Sequence, residues 1–535
     1  MRFSLKGLGR VMGCAATLWA GASFGGVNVN NGNFYIAYTD FLVQTPGLNI
    51  DITRTYNSRS NYVRGFFGVG WSSEIESYLS FEKDVVSLSE GGGGNIVRFE
   101  PVKGKPGTWA NGVFGNQTLT KEKTGGYVLE TATAKVMSFS DKGRLLRIAD
   151  RNKNVIELVY KGDRIDMIKD NLNNQIKVTW KENVGRHPRI ETLQMGPKKA
   201  RYEYSNVGNL TKAAGADGIQ YVYAYDDEHN MTKISYANGS FKEMGYNKGR
   251  DWVTSFRDQD GTRTSYDYFS DTLDPENKFG TTVTRVPAGS TNKEIARFWY
   301  EFRKRADGSR YNYKAVTEMR DVVTETLFTE CCGTPLVITQ WKSVAPKAGE
   351  TTLAWTTPKA DKRSTKFEYF EDGLLRRKTA ADGTITALTY DTKHKKVASV
   401  DRGGRKVEYN YDPRGNLAWA FDVNDKRRLD LTYDVKGRIT VVQEKRPTMA
   451  GPTKIFFRYD AMGRPVEIKE TPTNAKESII RFAYGSEGEV VGVLNAQGRA
   501  VASQVEVQSA QRVAATFQNL LQIVQPTGVT LTPEG

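Results

Sequence analysis

Cysteine is nearly missing from this chain of 535 residues: Cys14 and the adjacent pair Cys331-Cys332 are the only three. That excludes a dense disulfide framework and a four-cysteine zinc site. A bond between neighbouring cysteines is strained, so the pair reads as two small residues in a turn. Histidine is as scarce, with His187, His229 and His394 alone, which leaves little for imidazole metal binding or acid–base work. No run of 18 apolar residues occurs, so no segment is long enough to cross a membrane as a helix. No His-Glu-x-x-His, Walker loop or Cys-x-x-Cys is present. Gly21-Ala22-Ser23-Phe24-Gly25 spells Gly-x-Ser-x-Gly, but no strand precedes it. Gly91–Gly94 lacks the lysine and helix of a phosphate loop and reads as a flexible hairpin tip. His187, beside Pro188, reads as a loop residue. No cofactor is expected. What the chain has instead is 51 glycines against 17 prolines, with 26 tyrosines leading the aromatics. That composition favours strands joined by tight turns.

The first residues read as an address. Arg2, Lys6 and Arg10 precede the apolar Val11–Ala20, and Ala20-Gly21-Ala22 is a small-residue cleavage pattern. Residues 1–22 are therefore expected to be a secretory signal peptide. No apolar region precedes Cys14, which argues against a lipid attachment site there. Loss of the three leader cations lowers the formal net charge from +15 to +12. Acids and bases are interspersed throughout, and no concentrated Lys/Arg block marks a nucleic-acid arm. A specific nucleic-acid partner is not expected. A general attraction to acidic polymers or lipid head groups is the alternative to a merely solvated surface.

A repeat runs through most of the chain. Tyr411-Asp412-Pro413-Arg414-Gly415-Asn416-Leu417 shows it most clearly. Tyr433-Asp434 with Gly437-Arg438-Ile439, and Tyr459-Asp460 with Gly463-Arg464, follow it. Tyr484-Gly485 with Gly488 is a decayed copy, and Tyr225-Asp226 with His229-Asn230 has lost its glycine. Phe139 to Leu145 and Tyr204 to Leu210 are earlier copies. Tyr204, Tyr225 and Tyr246 stand 21 residues apart, as do Tyr369, Tyr390 and Tyr411. A fixed period of this length marks a stacked-repeat architecture.

One unit can be read physically. Thr384–Tyr390 and Lys406–Tyr411 alternate apolar and polar residues with period two, as half-buried strands do. Between strands, glycine supplies the positive φ of a tight turn, and aspartate bonds the backbone two residues on. Each unit is thus a β-hairpin, too small to bury its apolar face alone. Neighbours must stack edge to edge, and the resulting sheet must coil or close to hide that face and its edges. On this reading the recurring aspartates are turn residues, not catalytic carboxylates, and no catalytic or metal-ligating residue is expected. The motif residues that matter are structural: Tyr411, Asp412, Gly415, Tyr433, Asp434, Gly437, Arg438, Tyr459, Asp460, Gly463 and Arg464.

At these residues the chain resembles the Rhs or YD-repeat proteins, a class that includes bacterial Rhs proteins, insecticidal toxin-complex C components and teneurins. Val27-Asn28 to Asn33, Thr39-Asp40, Leu48 to Ser58 and Gly65 to Ser72 are similar to the domain that precedes many Rhs cores. Phe328 to Leu336, with the cysteine pair, resembles a variant unit. The resemblance implies an all-β fold, with hairpins spiralling into a hollow shell or barrel-like solenoid. It divides the mature chain into an N-terminal β domain over 23–135 and a repeat region over 136–500. In the toxin branches it also implies an enclosed C-terminal toxic segment, freed by an Asp-protease-like region. Asp412-Pro413-Arg414-Gly415 is superficially similar to such a cleavage signature, but further units follow it, so it reads as an ordinary repeat.

The last segment, 501–535, changes pattern. Ala510, Val513, Ala514, Phe517, Leu520, Leu521 and Val524 fall at three- and four-residue steps before Pro526, which predicts a short amphipathic helix. It serves either as a cap on the last sheet edge or as a docking helix or plug. Two functions stay open. The first is a secreted, non-enzymatic β-shell acting in adhesion, binding or encapsulation, with surface polysaccharide as its partner. The second is a toxin-system component, a shell for a separately encoded toxin. A third, an orphaned autoprotease, requires a cleaved product. Each places the protein in the periplasm, at the cell surface or outside the cell.

Overall fold

The computed structural model describes residues 25–499, apart from 61–63, 93, 112–116, 124, 132–134, 307, 331–332, 344–360, 475, 486–489 and 496. The expected leader 1–22, the Cys331-Cys332 pair and the expected C-terminal helix lie outside the described residues.

Strand follows strand from Gly25–Asn28 to Val490–Leu494, and no α-helix occurs among the described residues. Two main bodies of sheet form, besides the two-stranded pair Arg64–Gly65 with Gly68–Val69. The smaller is four-stranded, ordered Gly25–Asn28, Asn33–Val43, Ile50–Asn57 and Trp71–Ser73. The larger runs from Tyr78–Glu82 to the last strand, each strand antiparallel to its sequence neighbour, and closes on itself. At its start Tyr78 bridges to Arg144, and the Leu79 N–H donates to the Gly143 carbonyl at 2.8 Å. The sequence division at residue 135 is not a break in this sheet: Tyr127–Glu130 pairs with Val136–Phe139, Glu130 opposite Val136. The change of sheet comes earlier, between Ser73 and Tyr78.

Period-two alternation holds in the strands. In Arg427–Tyr433, Leu429 and Leu431 are buried while Arg428, Asp430 and Thr432 face the other way. The same irregularity recurs in every well-formed unit. Asn410 lies opposite Trp419 but Tyr411 opposite Leu417, so Ala418 is an extra residue, a β-bulge. The register shifts likewise at Tyr433 and Tyr459. A bulge increases twist, and repeated once per unit it curls the sheet.

The curl brings distant turns together. The Arg151 guanidinium donates to the Gly415 carbonyl, 264 residues on. Asn154 Nδ2 donates to the Lys436 carbonyl at 3.1 Å, and Asn416 Nδ2 to Asn152 Oδ1 at 3.2 Å. One winding of the sheet therefore rests, turn against turn, on the next. The small sheet packs on a face of the first winding. Tyr38 lies over Tyr221 with centroids 4.2 Å apart, Trp71 meets Tyr223 at 5.3 Å, and Phe34 meets Phe256 at 6.0 Å. Most of the core is this shared layer.

Two local readings need correction. His187 is not in a loop: it opens the strand His187–Met195, because the turn is confined to Gly185 and Arg186, both at positive φ. The tip at Gly91 and Gly92 is a hairpin tip but is tied down, since these amides donate to Ser77 Oγ and Ser72 Oγ, both at 3.0 Å.

Candidate functional site

The repeat turn is a closed hydrogen-bond circuit. Asp412 Oδ1 accepts from the N–H of Arg414 (2.9 Å) and of Asn416 (2.8 Å), and Oδ2 accepts from Asn416 Nδ2 at 3.0 Å. In the next two units the partner is arginine: Arg438 Nε donates to Asp434 Oδ2, and Arg464 Nε to Asp460 Oδ2, each at 2.6 Å. Gly415, Gly437 and Gly463 hold φ of +80°, +86° and +79°, the left-handed region that favours glycine. Where the glycine is lost, His229 takes the same conformation at +66°.

The tyrosine does not belong to its own turn. Tyr433 donates its hydroxyl proton to the Leu417 carbonyl at 2.9 Å, and Tyr459 to Ile439 at 2.7 Å. Tyr411 donates to Val397, also at 2.7 Å. Each acceptor is the residue paired with the tyrosine of the preceding unit, one position before the bulge, so the tyrosine staples one hairpin to the one before. Trp180 does the same through Nε1, to Ile165 at 2.8 Å, in a unit that has no tyrosine. Arg438 and Arg464 complete the link, lying 4.7 and 4.4 Å from the ring centroids of Tyr459 and Tyr484, the tyrosines of the following units. All eleven motif residues thus fall into one repeated network, and none converges on a shared pocket.

Electrostatics agree with that role. Burial pushes the Asp412 carboxyl up, but the Asn416 amide and the Asn416 and Arg414 N–H groups outweigh it, holding the carboxyl below its usual value. Asp460 is held low in the same way, burial being outweighed by the N–H and guanidinium of Arg464. Burial pushes the Tyr411 and Tyr459 hydroxyls up to about 12. These tyrosines stay protonated donors.

Sequence reasoning missed the junction between the small sheet and the first winding. Arg54 and Asp40, both fully buried, pair at 2.5 Å. Tyr202 donates to Asp40 Oδ2 at 3.0 Å, and Arg54 Nη2 donates to the Tyr223 hydroxyl at 2.8 Å. The guanidinium also lies 4.4 Å from the Trp71 ring. Burial pushes the Asp40 carboxyl up, against the pull of Arg54. Asp40 Oδ1 and Arg54 Nη1 have no hydrogen-bond partner among the described residues. Nearby, Glu76 accepts from the Phe66 and Ser73 N–H groups at 2.5 and 2.9 Å, and burial raises its carboxyl to about 8. Each of these side chains looks like an ordinary polar residue in sequence; only the alternation in Asn33–Val43 and Ile50–Asn57, which turns Asp40 and Arg54 inward, signals them.

What this arrangement does is hold. Among the described residues no group of three His, Cys, Asp or Glu side chains is placed to bind a metal. A shallow hollow of about 340 Å³ opens between Lys83-Asp84 and Pro101–Trp109. The Trp109 indole N–H there donates to the Asp84 carbonyl at 2.7 Å.

Residues 25–99 match the model of a family described as a domain of unknown function (DUF6531), and residues 204–240 match the RHS Repeat. A stretch of 121 residues is 33% identical to the double-stranded DNA deaminase toxin A of Burkholderia cenocepacia (strain H111), spanning 23% of this chain and 8% of that protein. Among solved structures, that of TcdB2-TccC3-TEV aligns over 83% of this chain and 24% of its own, at 12% identity and a TM-score of 0.47. The Photorhabdus luminescens Tc holotoxin pore aligns over 86% and 24%, at 13% identity and a TM-score of 0.44. The chain thus spans a small part of each of these longer proteins.

Proposed function

Given that the chain is an Rhs/YD-repeat protein, we propose that it is the shell component of a secreted toxin system, enclosing a polypeptide encoded separately. The observation that carries this reading is the wound, closed sheet, with the N-terminal sheet packed on a face of its first winding. A sheet wound and closed in this way can enclose a polypeptide. The match to a protein named as a deaminase toxin supports the same system. The chain acts as scaffold and not as enzyme: the Asp412 carboxylate, in the string nearest to a cleavage signature, is spent on its own turn. Residues 1–22 direct export, and the shell works in the periplasm, at the surface or outside the cell.

The test is co-expression of the full chain with the polypeptide encoded beside its gene. A complex of fixed stoichiometry is expected by native mass spectrometry, with the cargo resisting protease until urea opens the shell. A chain of unchanged mass, with the cargo cleaved as fast as when free, overturns the reading. Polysaccharide binding is the second reading, favoured by the hollow beside Trp109, where an aromatic face adjoins Lys83 and Lys105. A glycan array in which Trp109→Ala abolishes a signal would select it.

A further inference from the structure

One hairpin outgrows the sheet. The strands Glu294–Lys304 and Arg310–Met319 are 11 and 10 residues long. The neighbour Lys278–Val286 pairs with the first only as far as Glu301. The neighbour Val322–Phe328 pairs with the second only from Lys314. Past those points Phe302, Arg303 and Lys304 pair only with Asn312, Tyr311 and Arg310. The result is a two-stranded finger at one rim, braced at its base where the Phe302 N–H donates to the Asn277 carbonyl at 2.8 Å.

The finger concentrates one chemistry. It carries Arg303, Lys304, Arg305 and Arg310, with Glu301 at its base and the exposed Glu276 and Glu330 on the segments beside it. Arg303, Lys304 and Arg310 are exposed. Three of the four cations lie on an aromatic ring: Arg303 is 3.2 Å from the Tyr313 centroid, Arg305 is 5.2 Å from Tyr311, and Arg310 is 5.0 Å from Phe302. Stacking pre-orients a guanidinium without neutralising it. Arg305 and Arg310 are further steadied by neutral oxygens, the carbonyls of Glu330 and Glu276. Among the described residues, Arg303 is the one of the four cations that reaches a carboxylate, that of Glu301 at 3.5 Å. Fixed, charged guanidiniums over half-buried aromatic bodies match a phosphate layer above an apolar one. The rings are half-buried and each carries a guanidinium, whereas a single nucleic-acid strand stacks on open ring faces.

We propose that this finger is a docking site for an anionic phospholipid surface, its cations on the head-group phosphates and its aromatic bodies at the acyl boundary. The probe is vesicle co-sedimentation of the full chain, on phosphatidylcholine alone and with about one third phosphatidylglycerol, at low and high salt. The anionic vesicles are expected to bind the chain more tightly, the difference fading with salt. Arg303→Gln with Lys304→Gln should lower the partition at least about fivefold. Lys177→Gln with Lys198→Gln, exposed residues elsewhere, removes the same charge and should leave it unchanged. Lys304→Gln alone, an exposed side chain, guards against misfolding of the double variant and should give part of the loss. Equal loss in the finger and control pairs overturns the proposal in favour of bulk charge. Equal binding to both vesicle types, or displacement from vesicles by a single-stranded oligonucleotide, overturns it as well.

Discussion

At the scale of the residue, the repeat is a division of labour among four side chains. Tyrosine donates backwards, aspartate closes the turn, glycine supplies the backbone angle, and arginine reaches forward to the next ring. The loss from each substitution should therefore differ in kind. Tyr433→Phe removes one hydroxyl and leaves the Leu417 carbonyl unpaired. About 1 kcal/mol of stability should go, read as a lower urea midpoint with an unchanged fold. Gly437→Ala should cost more: about 1–2 kcal/mol for the left-handed backbone, plus a collision of its Cβ with the Asn152 side chain in the other winding. Acid should act through the aspartates. Asp412 and Asp460 are held below the ordinary 3.8 in the folded chain. Below that value the unfolded chain binds protons first. Their contribution is therefore complete above about pH 4 and is lost as pH falls through the lowered folded values. Urea midpoints measured from pH 5 to pH 2 should fall more steeply for the native chain than for Asp460→Asn.

At the scale of the element, the N-terminal sheet depends on a charge pair that water does not reach. Removing one partner of a buried pair strands the other, at about 3–5 kcal/mol, whereas replacing both with apolar groups costs much less. Asp40→Leu should therefore loosen the small sheet, seen as early protease cleavage within residues 25–73. The double variant Asp40→Leu with Arg54→Met should regain most of the resistance. If the double variant is as labile as the single one, the pair is not what anchors the sheet. The hairpin elements themselves were legible in sequence: the 21-residue spacing of Tyr204, Tyr225 and Tyr246 marks strand ends, each at a register shift. The junction was not legible, because Asp40 meets Tyr202 and Arg54 meets Tyr223 across 162 and 169 residues. No local pattern encodes a contact at that range.

At the scale of the whole molecule, closure is a matter of distant turns. Windings meet through Arg151 with Gly415 and Asn154 with Lys436, contacts that form only after most hairpins exist. Refolding from urea should accordingly be slow and multiphasic, with tyrosine fluorescence recovering before protease resistance. Asn154→Ala removes a bond between windings together with the Nδ2–Asp150 bond of its own turn, while leaving strand pairing intact. It should slow or weaken the late phase most.

The amino-acid sequence by itself determined the hairpins, their turn chemistry and the all-β class. Those follow from interactions within about five residues: alternation along a strand, an aspartate bonding two and four residues on, and a glycine at positive φ. Where the sheet changes, between Ser73 and Tyr78 and not at 135, was decided by the tertiary structure, because strand pairing and not composition defines a sheet edge. The same is true of the tyrosine staple: Tyr433 needs the carbonyl of Leu417, which only the bulge of the preceding hairpin presents. It is true too of the seat of the small sheet on the first winding, since a buried charge is stable only where a folded neighbour supplies the partners that water would otherwise provide.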